Sequence, residues 1–175
     1  MSTKVYVLDA GALLSNWTQK HPDYIFITTY SVIDEIQNKP SQQRADNLVS
    51  TGRLSFESPA QSWIKQVVAV SSNVGDGHVL SDTDKELIAL ALELKNSGKE
   101  PVVVSTDLAV LNTASNLDIL ILDPKNRMKH VVSWILKCPA CSNEEPSGSK
   151  YTECPVCGTE MRRKATSRKK VRKSE

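Results

Sequence analysis

Two short apolar runs limit what this chain can fold into more than any other feature. Val5-Tyr6-Val7-Leu8 and Val102-Val103-Val104-Ser105 are almost unbroken, without polar alternation, so each predicts a strand buried on both faces. Strands of that kind need helices on both sides and are joined by crossovers, which points to a parallel sheet. Each run also leads to an acid, Asp9 directly and Asp107 two residues after Ser105. Open α/β sheets bind ligands beyond the carboxyl ends of their strands, which makes Asp9 a candidate site residue. A simpler role, capping a helix that begins near Ala12, is equally open to it.

The rest of the first 137 residues alternates in the same way. Ile25 to Thr28 predicts a strand, and Thr29 or Ser31 caps a brief helix whose Val32, Ile33 and Ile36 face inward. Asp34 and Glu35 leave that helix at different angles, so only one can point at a shared site. Pro40 is expected to stop it, with a second helix over Ser41 to Val49 closed by Gly52, and a strand over Leu54 to Glu57. Ser58-Pro59 supplies an N-cap and first-turn proline for a helix over Ala60 to Ser72. After a loop from Asn73 to Val79, the longest helix runs from Asp82 to Lys95, apolar nearly all round, with Ser81 and Asp84 at capping-box spacing. A helix over Leu108 to Ala114 and a strand over Ile119 to Leu122 follow. The spacing of Val131, Trp134 and Ile135 predicts a last helix over Asn126 to Leu136. The expected fold is α/β, a parallel five-stranded sheet flanked by helices with right-handed crossovers.

Four acids share one placement, past a buried strand or at a helix start: Asp9, Glu35, Asp84 and Asp107. Two carboxylates 4 Å apart repel by roughly 4 kcal/mol at an effective dielectric near 20, so their convergence calls for protonation or a cation. Mg²⁺ or Mn²⁺ suits an all-oxygen set and could orient a water for attack on a phosphodiester. Each acid also has a plainer role, Asp84 in the capping box, Asp107 as an N-cap and Glu35 on a solvated face. His21, His78 and His130, expected in a loop, a loop and a helix, have no ligand-like spacing.

Composition matters chiefly at the other end. In 175 residues, 39% hydrophobic, there is room for one ordinary domain and a small satellite. No segment approaches the ~18 unbroken apolar residues of a membrane span, and the N-terminus lacks the order of a signal peptide. A cytoplasmic protein without a membrane partner is expected. Thiols stay reduced there, so four cysteines confined to Cys138–Cys157 point to metal rather than disulfides. Cys138-Pro-Ala-Cys141 and Cys154-Pro-Val-Cys157 are two C-x-x-C knuckles twelve residues apart. Four thiolates can close a tetrahedral Zn²⁺ site with no open position, a structural role. The alternative, a redox pair, does not explain two knuckles. A segment this short cannot bury a core, and Zn²⁺ binding worth ~10–16 kcal/mol would supply its folding energy. Met161 to Glu175 carries eight basic side chains and one acidic, which reads as a disordered basic tail able to contact phosphate, or one that merely solubilises.

The acidic motifs resemble those of PIN-domain ribonucleases over Lys4 to Lys137: VLDAG with Asp9, VIDEI with Glu35, LSDTDKELIALALEL with Asp84, and VVVSTDLAVL with Asp107. Asp34 and Asp82 stand next to matched positions. The resemblance implies a PIN-like sheet and Mg²⁺- or Mn²⁺-dependent cleavage of single-stranded RNA, leaving a 3′-hydroxyl and a 5′-phosphate. A PIN-like domain at 1–137, a zinc ribbon at 138–160 with ligands Cys138, Cys141, Cys154 and Cys157, and a basic tail at 161–175 together resemble the archaeal Nin-one-binding endonuclease family. That order implies precursor ribosomal RNA as substrate, within a pre-small-subunit ribosomal particle. Two other readings stay open, a non-catalytic RNA-binding assembly factor and a toxin-like PIN ribonuclease.

Overall fold

The computed structural model describes residues 4–149 and 152–170. Five strands form a parallel sheet in the order β3-β2-β1-β4-β5: β1 (Lys4–Leu8), β2 (Phe26–Thr28), β3 (Leu54–Phe56), β4 (Glu100–Val104) and β5 (Leu120–Leu122). β1 lies at the centre and pairs with β4 along its whole length, Lys4 opposite Glu100 through Leu8 opposite Val104. Tyr6, Val7 and Leu8 are buried, as are Val102, Val103 and Val104, so both apolar runs are covered on both faces.

Six helices connect and cover these strands: α1 (Ala10–Leu14), α2 (Tyr30–Asp34), α3 (Lys39–Ser50), α4 (Gln61–Val74), α5 (Asp82–Asn96) and α6 (Leu108–Asn116). α5 is the most deeply buried of them. Leu87 through Leu92 and Leu94 are all buried, which explains its nearly all-round apolar surface. Its N-terminus carries the expected capping box between Ser81 and Asp84. Three local details differ from the sequence reading. α2 ends at Asp34 with Glu35 as its C-cap, and Pro40 opens α3 rather than closing α2. A proline is well placed in the first helical turn, where its missing N–H has no partner to lose. α4 starts at Gln61 with Ala60 as N-cap, so Ser58-Pro59 precedes the helix instead of capping it.

The larger corrections lie beyond β5. The expected helix over Asn126 to Leu136 is instead β6 (His130–Lys137), and His130 is accordingly on a strand. The basic segment expected to be disordered forms β8 (Arg162–Lys170), while residues 171–175 of that tail lie outside the described residues. With β7 (Glu144–Pro146) these strands make a second, antiparallel sheet in the order β7-β6-β8. β6 and β8 run together from His130 opposite Lys170 to Lys137 opposite Arg162, with one bulge at Ser133/Trp134. Long-range strand pairing thus overrides the helical spacing of Val131, Trp134 and Ile135. The divisions expected at 137 and 160 fall between strands of this second sheet.

The two sheets are tied by a buried carboxylate. Asp76, only 3% exposed, accepts from Arg163 at 2.5 Å and from the Asn112 amide at 2.6 Å. Arg163 also donates to the Gly75 carbonyl and stacks over the Trp134 ring at 4.3 Å. Asn112 bonds both the N–H and the carbonyl of Val132, standing in for a neighbouring strand on β6. Gly75, at φ +87°, permits the close approach: a Cβ there would meet Ser147 at 2.6 Å and Trp134 at 2.8 Å. Replacing Arg163 by Met should leave Asp76 buried without its counter-charge and lower unfolding free energy by about 3 kcal/mol in urea titrations. A loss below ~0.5 kcal/mol would mean the pair behaves as a surface salt bridge.

Candidate active site

The strand order places a topological switch between β1 and β4, because the chain moves away from β1 in opposite directions on its two sides. Asp9 leaves the carboxyl end of β1, and its N–H bonds the Val104 carbonyl at 3.1 Å, so the last rung of the ladder fixes it. Ser105, fully buried just past β4, donates its hydroxyl to Asp9 Oδ2 at 2.6 Å and accepts the N–H of Asp107 at 2.9 Å. One serine therefore holds both acids in register. Asp107 caps α6 by accepting from the Ala109 N–H at 2.6 Å.

Gly11 makes this proximity possible. A Cβ at Gly11 would lie 2.4 Å from the Thr106 hydroxyl and 3.6 Å from Asp9 Oδ2. Any side chain there would force the Thr106 hydroxyl to turn aside.

Asp84 reaches the same region from the N-terminus of α5. Its Oδ2 accepts from the Ser81 N–H at 2.9 Å and the Ser81 hydroxyl at 2.8 Å, which locks its rotamer. Burial raises the pKa of Asp9 above the ordinary carboxylate range; the Ser105 hydrogen bond opposes this, and the charges of Asp84 and then Asp107 add to the rise. Asp84 and Asp107, two of the other expected acids, are thus each close enough to Asp9 to disfavour its charge. Glu35, at the C-cap of α2, is exposed and makes no side-chain hydrogen bond among the described residues. It lies one turn beyond Ser31, whose hydroxyl donates to Glu86 of α5 at 2.6 Å, so it shares the helix face turned towards α5. Asp82 points to solvent and pairs with Lys85 at 3.0 Å, and Asp34 is exposed.

The second candidate centre is the cysteine cluster. The Sγ atoms of Cys138, Cys141, Cys154 and Cys157 all lie within 4.8 Å of one another, with neighbouring pairs at 3.4 and 3.5 Å. A tetrahedral ion bonded to four sulfurs at ~2.3 Å has sulfur–sulfur edges of roughly 3.8 Å, so the set fits one thiophilic metal. The two knuckles repeat one hydrogen-bond scheme. Cys138 N–H bonds the Asn143 carbonyl and Ser142 N–H bonds that of Cys138; Cys154 N–H bonds the Thr159 carbonyl and Gly158 N–H bonds that of Cys154, all at 2.8 to 3.1 Å. Ser142 and Gly158 occupy equivalent left-handed positions, at φ 63° and 72°. As a thiolate, Cys157 accepts from Thr159, which holds its pKa down at about 6.

A family model described as PIN domain of ribonuclease matches residues 6–94, from β1 through α5. This chain belongs to the PIN-domain ribonuclease family. Among relatives of this PIN ribonuclease, Endoribonuclease Nob1 of Methanothermobacter thermautotrophicus is 31% identical over 90% of this chain and 91% of that one. Endoribonuclease Nob1 of Pyrococcus abyssi is 30% identical over 77% and 81% respectively. Ribonuclease VapC1 of Thermoplasma acidophilum is 31% identical over 95% and 81%. The PIN chain is an endoribonuclease, and its family uses divalent metal. No helix among its described residues is long and apolar enough to cross a membrane.

Several residues of the PIN site carry no sequence signal of their own. Ser105 reads as the polar end of a strand and Gly11 as an ordinary turn residue; only the β1–β4 pairing joins them. Because the folded chain holds the Asp9 proton more tightly than the unfolded chain, ionising Asp9 costs folding free energy. That cost is absent below the ordinary carboxylate range and complete once the pH has risen through the raised folded value. Asp9→Asn should therefore raise Tm in chelator at pH 7 and lose that advantage in acid. Calorimetry across the pH range checks this, and an unchanged or lowered Tm at pH 7 would show that Asp9 is not held against desolvation.

Proposed function

We propose that the chain is a cytoplasmic, Mg²⁺- or Mn²⁺-dependent endoribonuclease that cuts single-stranded precursor ribosomal RNA to mature the 3′ end of the small-subunit RNA, acting within a pre-small-subunit particle. The observation that carries the catalytic part is the convergence of Asp9, Asp84 and Asp107 at the β1/β4 switch point, with Ser105 bridging two of them. These three, with Glu35, are assigned to hold the divalent ion. Bound there, such an ion would supply Lewis-acid activation of a water and charge stabilisation at the leaving oxygen, consistent with 3′-hydroxyl and 5′-phosphate products. The chain's own contribution is positional: Ser105 and the β-ladder orient Asp9, Ser81 fixes Asp84, and Gly11 leaves room between the strand ends. Zn²⁺ is assigned to Cys138, Cys141, Cys154 and Cys157 as a structural ion.

The ribosomal part of the reading is supported by the relatives named Endoribonuclease Nob1 and by the order of the chain, an acidic site followed by four cysteines and a basic strand. The nuclease portion is assigned to residues 1–137, with the strands around the cysteines as an RNA-binding platform. A toxin-like ribonuclease is the second reading, and it has a specific observation behind it: the match to Ribonuclease VapC1 extends over 95% of this chain. Precursor small-subunit RNA and an unrelated single strand of equal length separate the two. The first reading expects one cut in the precursor and little in the control.

Asp84→Asn should lower metal-dependent cleavage by on the order of a hundredfold or more, as when a metal or acid/base group is removed, with some loss of Tm from the broken capping box. Asp82→Asn should lose far less. Initial rates on a labelled oligonucleotide check both, and equal losses would redraw the acidic cluster. Truncating β8 would unpair β6, so its charge is tested by substitution. Lys164→Gln with Lys169→Gln should flatten the salt dependence of RNA binding by ~0.7 per lost phosphate contact. An unchanged slope would make the strand purely structural.

A further inference from the structure

A cavity of about 500 Å³ lies between α6 and the β6–β8 sheet, and Asp107 stands on its lining. Its walls are apolar, formed by Leu108, Met128, Val132 and Trp134, and Asp76 with its Arg163 partner also lines it. Two apolar side chains of this lining are left uncovered, Leu108 at 44% and Val79 at 56% exposure. Arg127, Lys129, His130 and Arg168 are the other titratable groups facing the cavity. Asp76 is already matched by Arg163, so cations outnumber the one remaining carboxylate, Asp107. An apolar slot with a cationic rim fits a ligand that is both flat and anionic.

Arg127 is held where such a ligand would need it. Its guanidinium donates to the carbonyl of Thr106, the residue before Asp107. Its backbone N–H is bound at 2.5 Å by the Asp123 carboxylate, which also accepts from Lys125 and Met128 at 2.9 Å each. The loop is thus wound around one carboxylate and presents a fixed cation at the edge of the acidic centre. Fixed guanidinium groups suit phosphate oxygens, and apolar walls that include an aromatic ring suit a nucleobase, whichever base it is. A volume in the range of small-ligand pockets accommodates one nucleotide rather than a duplex.

We propose that this cavity is a subsite for one unpaired RNA nucleotide next to the scissile phosphodiester, with its base between Leu108 and the stacked pair of Arg163 and Trp134 and its phosphate on Arg127. The subsite rests on the nuclease reading and adds a reason for single-strand selectivity, since a paired base must first unpair and unstack to enter. It also gives the second sheet a part in substrate binding: Val132, Trp134, Arg163 and Arg168 come from β6 and β8, while Leu108 and Asp107 come from α6.

The test uses the full chain and a fluorescent single-stranded RNA in which one abasic nucleotide is walked across the cleavage position. Binding is read by anisotropy in chelator, and cleavage separately with Mn²⁺. In the wild type, one abasic position next to the cut should weaken binding about tenfold, and the others little. Leu108→Ser with Val79→Ser, both at exposed positions, should weaken binding of intact RNA by a similar factor and bind the abasic RNA as the wild type does. Arg127→Gln should weaken binding of both RNAs, since the phosphate remains. Uniform tolerance of abasic positions, or equal losses for intact and abasic RNA in the Leu108/Val79 variant, would overturn the subsite. No RNA binding at all would do so too. Cleavage without the abasic pattern strikes the subsite alone, and the abasic pattern without cleavage strikes only the nuclease reading.

Discussion

The parallel pairing of β1 with β4 is the constraint on which the site depends. Five successive residue pairs, all but the first with at least one partner buried, hold the two strands in register, because a slip would break close packing against the helices on both faces. The ladder itself then places the residues just past each strand. Asp9 and Ser105 meet because Leu8 and Val104 are opposite one another, and the capping bond of Asp107 sets the direction in which α6 departs. The carboxylates are assembled by burial that has nothing to do with them. Their repulsion is offset by the burial of a core of Val, Leu and Ile side chains.

Much of this was legible in the sequence where local physics decides. Val5 to Leu8 and Val102 to Val104 announce strands covered on two sides, Ser81 and Asp84 announce a capped helix, and the C-x-x-C spacing announces a four-cysteine cluster. Legibility fails where the deciding partner is far away along the chain. Val131, Trp134 and Ile135 have helical spacing, and the neighbouring valines were the signal against it. β6 becomes a strand because Arg162–Lys170, some thirty residues later, supplies its hydrogen bonds. The same distance hides β8 itself, since a run of cations looks solvated until a strand is there to pair with it. Asp76 looks like a loop residue, and its burial needs Arg163 and Asn112 from two other elements.

The cysteine knuckles and the Asp76 pair bind the second sheet in different ways. The knuckles fix the turns that lead out of β6 and into β8, while Arg163, Asn112 and Gly75 fix that sheet against the helices of the first. The acidic centre and the cysteine cluster are joined through β6, whose Val132 bonds Asn112 of α6, although no residue is common to them.

The position of β8 in the chain orders events during synthesis. Every strand of the parallel sheet is complete once Leu122 has been made, whereas Arg168 at the cavity wall comes roughly 46 residues later, ~2–9 s of translation at ~5–20 residues per second. In that interval the strand ends that carry Asp9 and lead to Asp107 are already made, while β8, the partner of β6, is incomplete. The second sheet is thus closed after the first, by a strand in which six of nine residues are cationic.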